Sequence, residues 1–168
     1  MFICSLFFLG GCDPDEDYSG DEVHKLDTKQ FYEENRIWNS SDIQNYSYKL
    51  AVYIDSAASG KKSLYADIVV SGNNSEVTFT SSGGNVITDE NSVYCLKTIE
   101  DVYEFIFDLY MQEQRLIFDD SIGQYSIDWN IKYDKKYHFP AYLSHFPIHC
   151  YQKADDIRIY VKDFTVTD

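Results

Sequence analysis

The chain has 168 residues, 44% of them hydrophobic, with 28 acidic side chains against 14 basic ones and a formal net charge of −14. That apolar fraction excludes a disordered chain, the length suits one domain with a single buried core, and the acidity disfavours nucleic acid and anionic lipid heads as partners. Aromatics reach 17%, with 15 Tyr, 11 Phe and 2 Trp; this suits half-buried strands, where a ring packs while its hydroxyl meets water, and its functional reading is a sugar- or peptide-binding face.

Residues 1–11, MFICSLFFLGG, are apolar and uncharged. The run is too short to cross a bilayer, which takes about 20 apolar residues. It ends in small residues, as the h-region and cleavage site of a signal peptide do. Leu9-Gly10-Gly11-Cys12 resembles the lipobox of bacterial lipoproteins. The resemblance implies a diacylglycerol on the Cys12 sulfur, cleavage just before it, and anchoring by two or more acyl chains. Nothing basic precedes Lys25, so the basic opening of the signal is expected upstream of Met1. Residues 13–22 (DPDEDYSGDE) hold six acids and no base, which leaves −8 on the rest of the chain. Residues 12–26 therefore read as a lipidated cysteine and an acidic tether, and residues 27–168 as one folded domain. The contrasting reading, MFICSLFFL as a first strand of a cytosolic protein, fits the acidic, Pro-containing stretch after Cys12 less well.

A helix is expected over about Thr28–Asn39, capped by Asp27, with Phe31 and Trp38 on its apolar stripe. Tyr46, Tyr48, Leu50, Val52 and Ile54 then alternate with Ser47, Lys49 and Ala51, the period of a half-buried strand. Asp55–Lys62 reads as a turn. Leu64, Ala66, Ile68 and Val70 repeat the alternation, Ser71-Gly72-Asn73-Asn74 turns again, and Val77 with Phe79 marks a short third strand. Residues 81–94 read as a long loop. Thr98 caps a second helix, with Asp101 at the box position and Ile99, Val102, Tyr103, Ile106, Leu109 and Tyr110 on one stripe. Phe105 and Phe107 fall outside that stripe. Ile127, Trp129, Ile131 and Tyr133 form a fourth strand. Phe139–Phe146 is a fifth, with Pro140 at its start or on an edge. Ile157, Ile159 and Val161 form a sixth, whose phase shifts to Phe164 and Val166 through a bulge near Lys162-Asp163. The fold class is α+β: an antiparallel sheet of about six strands with two helices packed on one face, in the order α-β-β-β-α-β-β-β.

Trp38 shortly before Tyr46-Ser47-Tyr48, the Thr98-Ile99-Glu100-Asp101-Val102 helix opening, and Tyr133-Asp134 followed by Phe139-Pro140 resemble a group of uncharacterised bacterial envelope lipoproteins, catalogued only as a domain of unknown function. Members show Tyr-Asp and then Gly-Tyr-Pro at the last of these places. His138 stands where their glycine would be, which makes the local turn geometry a point to inspect. The resemblance covers most of residues 28–146. It implies lipoprotein status and fold, and no activity.

Four cysteines are present. Cys4 would leave with the signal and Cys12 would take lipid, so Cys95 and Cys150 remain as an even pair in an oxidising compartment, either bridged or as two buried thiols. A bridge would close a loop of about 55 residues, worth roughly 4 kcal/mol on the chain-entropy model. His138, His145 and His149 cluster near Cys150, yet Pro140 and Pro147 prevent the helix that would align His145 with His149. These two are weak candidates for metal ligation, and no metal or other cofactor is expected. Asp119-Asp120 and Asp155-Asp156 read as solvated loop acids, and no nucleophile elbow, phosphate loop or calcium loop occurs. The sequence thus points to a lipid-anchored envelope module without enzymatic activity that binds a protein, peptide or glycan. An envelope hydrolase or a small periplasmic inhibitor is the alternative.

Overall fold

The computed structural model describes residues 23–56, 58–80, 85–117, 126–148 and 155–167. The expectations for Cys12, His149, Cys150 and Asp119-Asp120 lie outside the described residues. Helix α1 (Thr28–Ser40) opens where the Asp27 carboxylate accepts the Gln30 amide at 2.9 Å, which satisfies one of the orphan donors of a helix start. It closes where the Trp38 carbonyl accepts both the amide and the hydroxyl of Ser41. Its buried residues are Phe31 and Trp38, the two large apolar members of the expected stripe.

Strands β1 (Asn45–Ser56) and β2 (Gly60–Ser71) pair without interruption from Asn45↔Ser71 to Ser56↔Gly60. The turn expected over Asp55–Lys62 is therefore tighter. Lys61 and Lys62 stay in the ladder opposite Asp55 and Ile54, and Gly60 takes the left-handed conformation that lets the chain reverse there. Strand β3 (Asn74–Phe79) follows a two-residue turn in which Gly72 has φ 58°, a glycine in the first central position as such hairpins favour. Helix α2 (Ile99–Ile117) carries a reciprocal cap. The Thr98 hydroxyl accepts the Asp101 amide at 3.1 Å, and the Asp101 carboxylate accepts the amides of Thr98 (3.0 Å) and Lys97 (2.8 Å).

Strands β4 (Ile127–Tyr133), β5 (Pro140–Pro147) and β6 (Asp156–Val166) complete a six-stranded sheet in the order β3-β2-β1-β6-β5-β4, with every neighbouring pair antiparallel. The fold is α+β, with the expected count and order of helices and strands. The two αβββ halves are not related by a simple two-fold, since β1 meets β6 and not its counterpart β4. The phase shift read near Lys162-Asp163 is a bulge: the β1–β6 register slips between Ser47 and Lys49, and Asp163 has φ 53°. The extra residue swings Phe164 into the core, where its ring lies 4.5 Å from Phe139, 5.3 Å from Tyr46 and 5.9 Å from Trp38.

Both helices cover the sheet face that carries Tyr46, Tyr48, Leu50, Val52 and Ile54 of β1, Leu64, Ala66, Ile68 and Val70 of β2, and Ile157, Ile159 and Val161 of β6, all buried. Helix α2 adds Ile99, Val102, Tyr103, Ile106 and Leu109, also buried, and Tyr110 packs at the margin. Phe105, off that stripe, is covered by Tyr94 of the preceding loop at 5.9 Å, while Phe107 stays exposed. Polar atoms tie the opening of α2 to the sheet. The Trp38 indole donates to Glu100 (2.8 Å), Tyr46 accepts the Ile99 amide (3.1 Å) and donates to Glu100 (3.3 Å), and Tyr48 donates to the Leu96 carbonyl (2.7 Å).

Candidate functional site

Strand alternation leaves the second face of the sheet without a helix. Its residues are the partners of the core set: Lys49, Ala51, Tyr53 and Asp55 of β1, Lys61, Tyr65 and Asp67 of β2, Arg158, Tyr160 and Lys162 of β6, and Tyr142 of β5. The register aligns Tyr65, Ala51, Tyr160, Tyr142 and Lys132 in one row across five strands. Tyr53 stands one pleat along and touches two members edge-on, Tyr65 at 5.7 Å and Tyr160 at 5.8 Å. Tyr142 leans on Tyr160 at 5.0 Å. Ammonium groups lie over two of the rings, Lys162 at 4.9 Å from Tyr160 and Lys132 at 5.6 Å from Tyr142, within cation–π range.

Ala51 puts no ring between Tyr65 and Tyr160; beyond Tyr53 an open groove of about 400 Å³ is lined by Tyr53, Tyr160, Asp55, Lys61, Asp156 and Arg158. Tyr53 is 41% exposed; its phenol is held above its usual range first by the neighbouring Tyr65 hydroxyl and then by partial burial. Arg158 donates to Asp156 at 2.9 Å, and Lys61 pairs with Asp55 at 3.3 Å. The other oxygen of Asp156, Oδ1, is buried without a hydrogen-bond partner among the described residues. The face thus combines rings with polar tips, charges of both signs and a shallow groove.

The chemistry foreseen in the sequence is placed elsewhere. Cys95 is buried in the loop before α2, where desolvation raises its thiol pKa; Cys150 lies outside the described residues, and with it the choice between a bridge and two thiols. His145 faces the core on β5, edge-on to Trp129 at 4.8 Å and 3.3 Å from the Asp155 carbonyl. Burial holds its pKa below the ordinary 6.5. His138 sits beyond the other end of β5, more than about 20 Å from His145 at strand rise, and bonds Glu34 at 2.7 Å. The two are not brought together. Asp155 accepts the Tyr94 hydroxyl while Asp156 pairs with Arg158, so that carboxylate pair is split between separate partners. Among the described residues no three or more His, Cys, Asp or Glu side chains converge as a metal site.

Two features escaped the sequence reading. Glu113, a polar residue in line with the expected α2 stripe, is buried and accepts the Trp129 indole at 2.8 Å, and desolvation raises its pKa. A signal existed, since Glu113 follows Ile106, Leu109 and Tyr110 at helical spacing. The tyrosine row left only a fainter sign: Tyr on the polar phase of four strands. No helix of the described residues is long and apolar enough to cross a membrane. Compared with protein-family models, curated proteins and solved structures, the chain matches none.

Proposed function

We propose that the chain is a lipid-anchored protein of the bacterial cell envelope whose domain is a binding module without enzymatic activity, working through the open face of its sheet. The observation that carries the binding reading is the tyrosine row around Ala51, half-buried rings with Tyr53 exposed beside them and charges interleaved. Clustered exposed aromatics mark contact surfaces more often than idle ones. The described histidines support it from the other side: His24 is held by Asp128, His138 by Glu34, and His145 by the Asp155 carbonyl, so each is spent on structure. Anchoring rests on Leu9-Gly10-Gly11-Cys12 and the acidic residues behind it.

Two measurements test the reading. Mass spectrometry of the natural protein should find the chain beginning at an acylated Cys12; residues 1–11 retained with a bare thiol would remove the envelope assignment. Capture of a component from native envelopes by the full protein should be lost when Ala51→Trp crowds an indole between Tyr65 and Tyr160. Equal capture by that variant would move the binding surface elsewhere.

A further inference from the structure

We propose that the groove beside Ala51 takes a carboxylate-bearing oligosaccharide, with pyranose rings lying on Tyr53 and Tyr160 and a sugar carboxylate at Arg158 and Lys61. The proposal rests on the open face being the binding surface and names its ligand.

The backbone beneath the trough argues against an extended peptide. β1 is central, paired along its length with β2 on one side and β6 on the other. Its amides and carbonyls are used, so a peptide could not add to the sheet there by main-chain bonds. The trough is also shallow, with no deep apolar hole for an anchoring side chain. What it presents are ring surfaces and polar tips. An aromatic face carries partial negative charge, which complements the C–H face of a pyranose, while the ring's hydroxyls reach side chains around the edge.

Charge selects within the sugars. The chain carries −14 overall, yet the trough has Lys61, Lys62 and Arg158 against Asp55 and Asp156, and Lys132 and Lys162 stand over the adjoining tyrosines. An acidic protein that gathers bases around an aromatic surface is complementary there to an anion. Arg158 engages Asp156 through one guanidinium nitrogen, Nη2, and its planar fork is suited to a carboxylate. A molecule with flat C–H faces and a carboxylate satisfies both demands.

The test is isothermal titration of the full chain in detergent with galacturonic acid oligomers, beside uncharged cello-oligosaccharides and poly-glutamate. The galacturonate oligomer should bind with Kd of about 1 mM or tighter and weaken as salt is raised. The neutral sugar and poly-glutamate should each bind at least about tenfold more weakly. Tyr53→Ala, Arg158→Gln and Ala51→Trp should each weaken galacturonate binding by about tenfold or more, with thermal unfolding recorded for each. Ala51→Trp alters only the open face, so it decides the matter if Tyr53→Ala fails to fold. No galacturonate binding at about 10 mM, equal binding of the neutral sugar or of poly-glutamate, or full binding by Ala51→Trp would each overturn the proposal. If galacturonate fails while Ala51→Trp still abolishes envelope capture, the ligand class is wrong and the face stands. If the variant alters neither, both readings fall.

Discussion

Trp38 offers the sharpest test of what holds the domain together. It is 2% exposed, its ring meets Tyr46 at 5.6 Å, Phe164 at 5.9 Å and Phe139 at 6.2 Å, and its indole donates to Glu100. Burying about 200–250 Å² of ring at about 25 cal/mol/Å² is worth roughly 5–6 kcal/mol, and residual burial in the unfolded chain lowers this to about 3–5 kcal/mol. Trp38→Ala should therefore destabilise by about 3–5 kcal/mol, or lower Tm by about 10–15 °C for a domain of this size. Trp38→Phe keeps most of the ring contact and loses the indole donor. Glu100 is exposed and retains the Tyr46 hydroxyl, so that loss should be nearer 1–1.5 kcal/mol, about that of one hydrogen bond. Urea unfolding followed by far-UV circular dichroism measures both without relying on the lost fluorophore. An alanine variant losing under about 1 kcal/mol would place the α1 anchor elsewhere. Equal losses for Phe and Ala would show that the bond to Glu100, and not the ring, joins helix to sheet.

Thr98→Ala removes the hydroxyl that accepts the Asp101 amide and should cost about 1 kcal/mol in the same assay; no change would mean the Asp101 carboxylate caps α2 alone. His138 has φ 62°, so His138→Ala keeps the strained backbone and loses the Glu34 pair, whereas His138→Gly loses the pair and relieves the strain. Gly should be the more stable of the two by about 1 kcal/mol, and the reverse order would refute the strain. Glu113 has a raised pKa in the folded state because of burial, so the folded form holds its proton more tightly. That contribution is full below the unfolded pKa and is lost as pH rises through the folded one. Glu113→Gln should flatten this decline and gain on wild type toward pH 7, measured as unfolding free energy against pH; an unchanged slope refutes it. For His145, lowered by burial, the sign is opposite: its contribution is present above the unfolded value and lost as pH falls through the folded one, so His145→Leu should remove an acid-side decline, and persistence of that decline would assign it to another group.

Much of the fold is legible in sequence because each clue was local. Tyr46, Tyr48, Leu50, Val52 and Ile54 all fall on the covered face since strand period alone decides that face. Asp27 and Thr98 cap their helices because the bond spans three residues. The bulge at Asp163 showed as a break in phase between Val161 and Phe164. What stayed hidden depends on partners distant in sequence. Ala51 lies between Tyr65 and Tyr160 only because β1 pairs with β6, the last strand, and not with β4. No periodicity within β1 could disclose that row. Glu113 is buried by Trp129 of the following strand, a tertiary contact that overrides its polar character. The tighter turn after Ser56 has a similar cause: Lys61 and Lys62 look like loop residues alone and are strand residues opposite Asp55 and Ile54.

Several residues prominent in the sequence converge in space. Trp38, Tyr46 and Phe139 share one ring cluster, and Glu100 receives donors from the first two. Thr98 and Asp101 cap the helix that begins there. Tyr133-Asp134 leads into the turn whose His138 carbonyl accepts the Tyr103 hydroxyl. At His138 the backbone has the positive φ that glycine adopts freely. His138 fits because its ring is held by Glu34 of α1, so a side chain anchors what a glycine would merely permit. These positions fasten two helices to one end of the sheet, and none belongs to the tyrosine row on the opposite face. Ala51, Tyr53, Tyr65, Arg158 and Tyr160 stand on that other face, where alternation frees their side chains from the core, so substitutions there should leave the helix–sheet junction undisturbed.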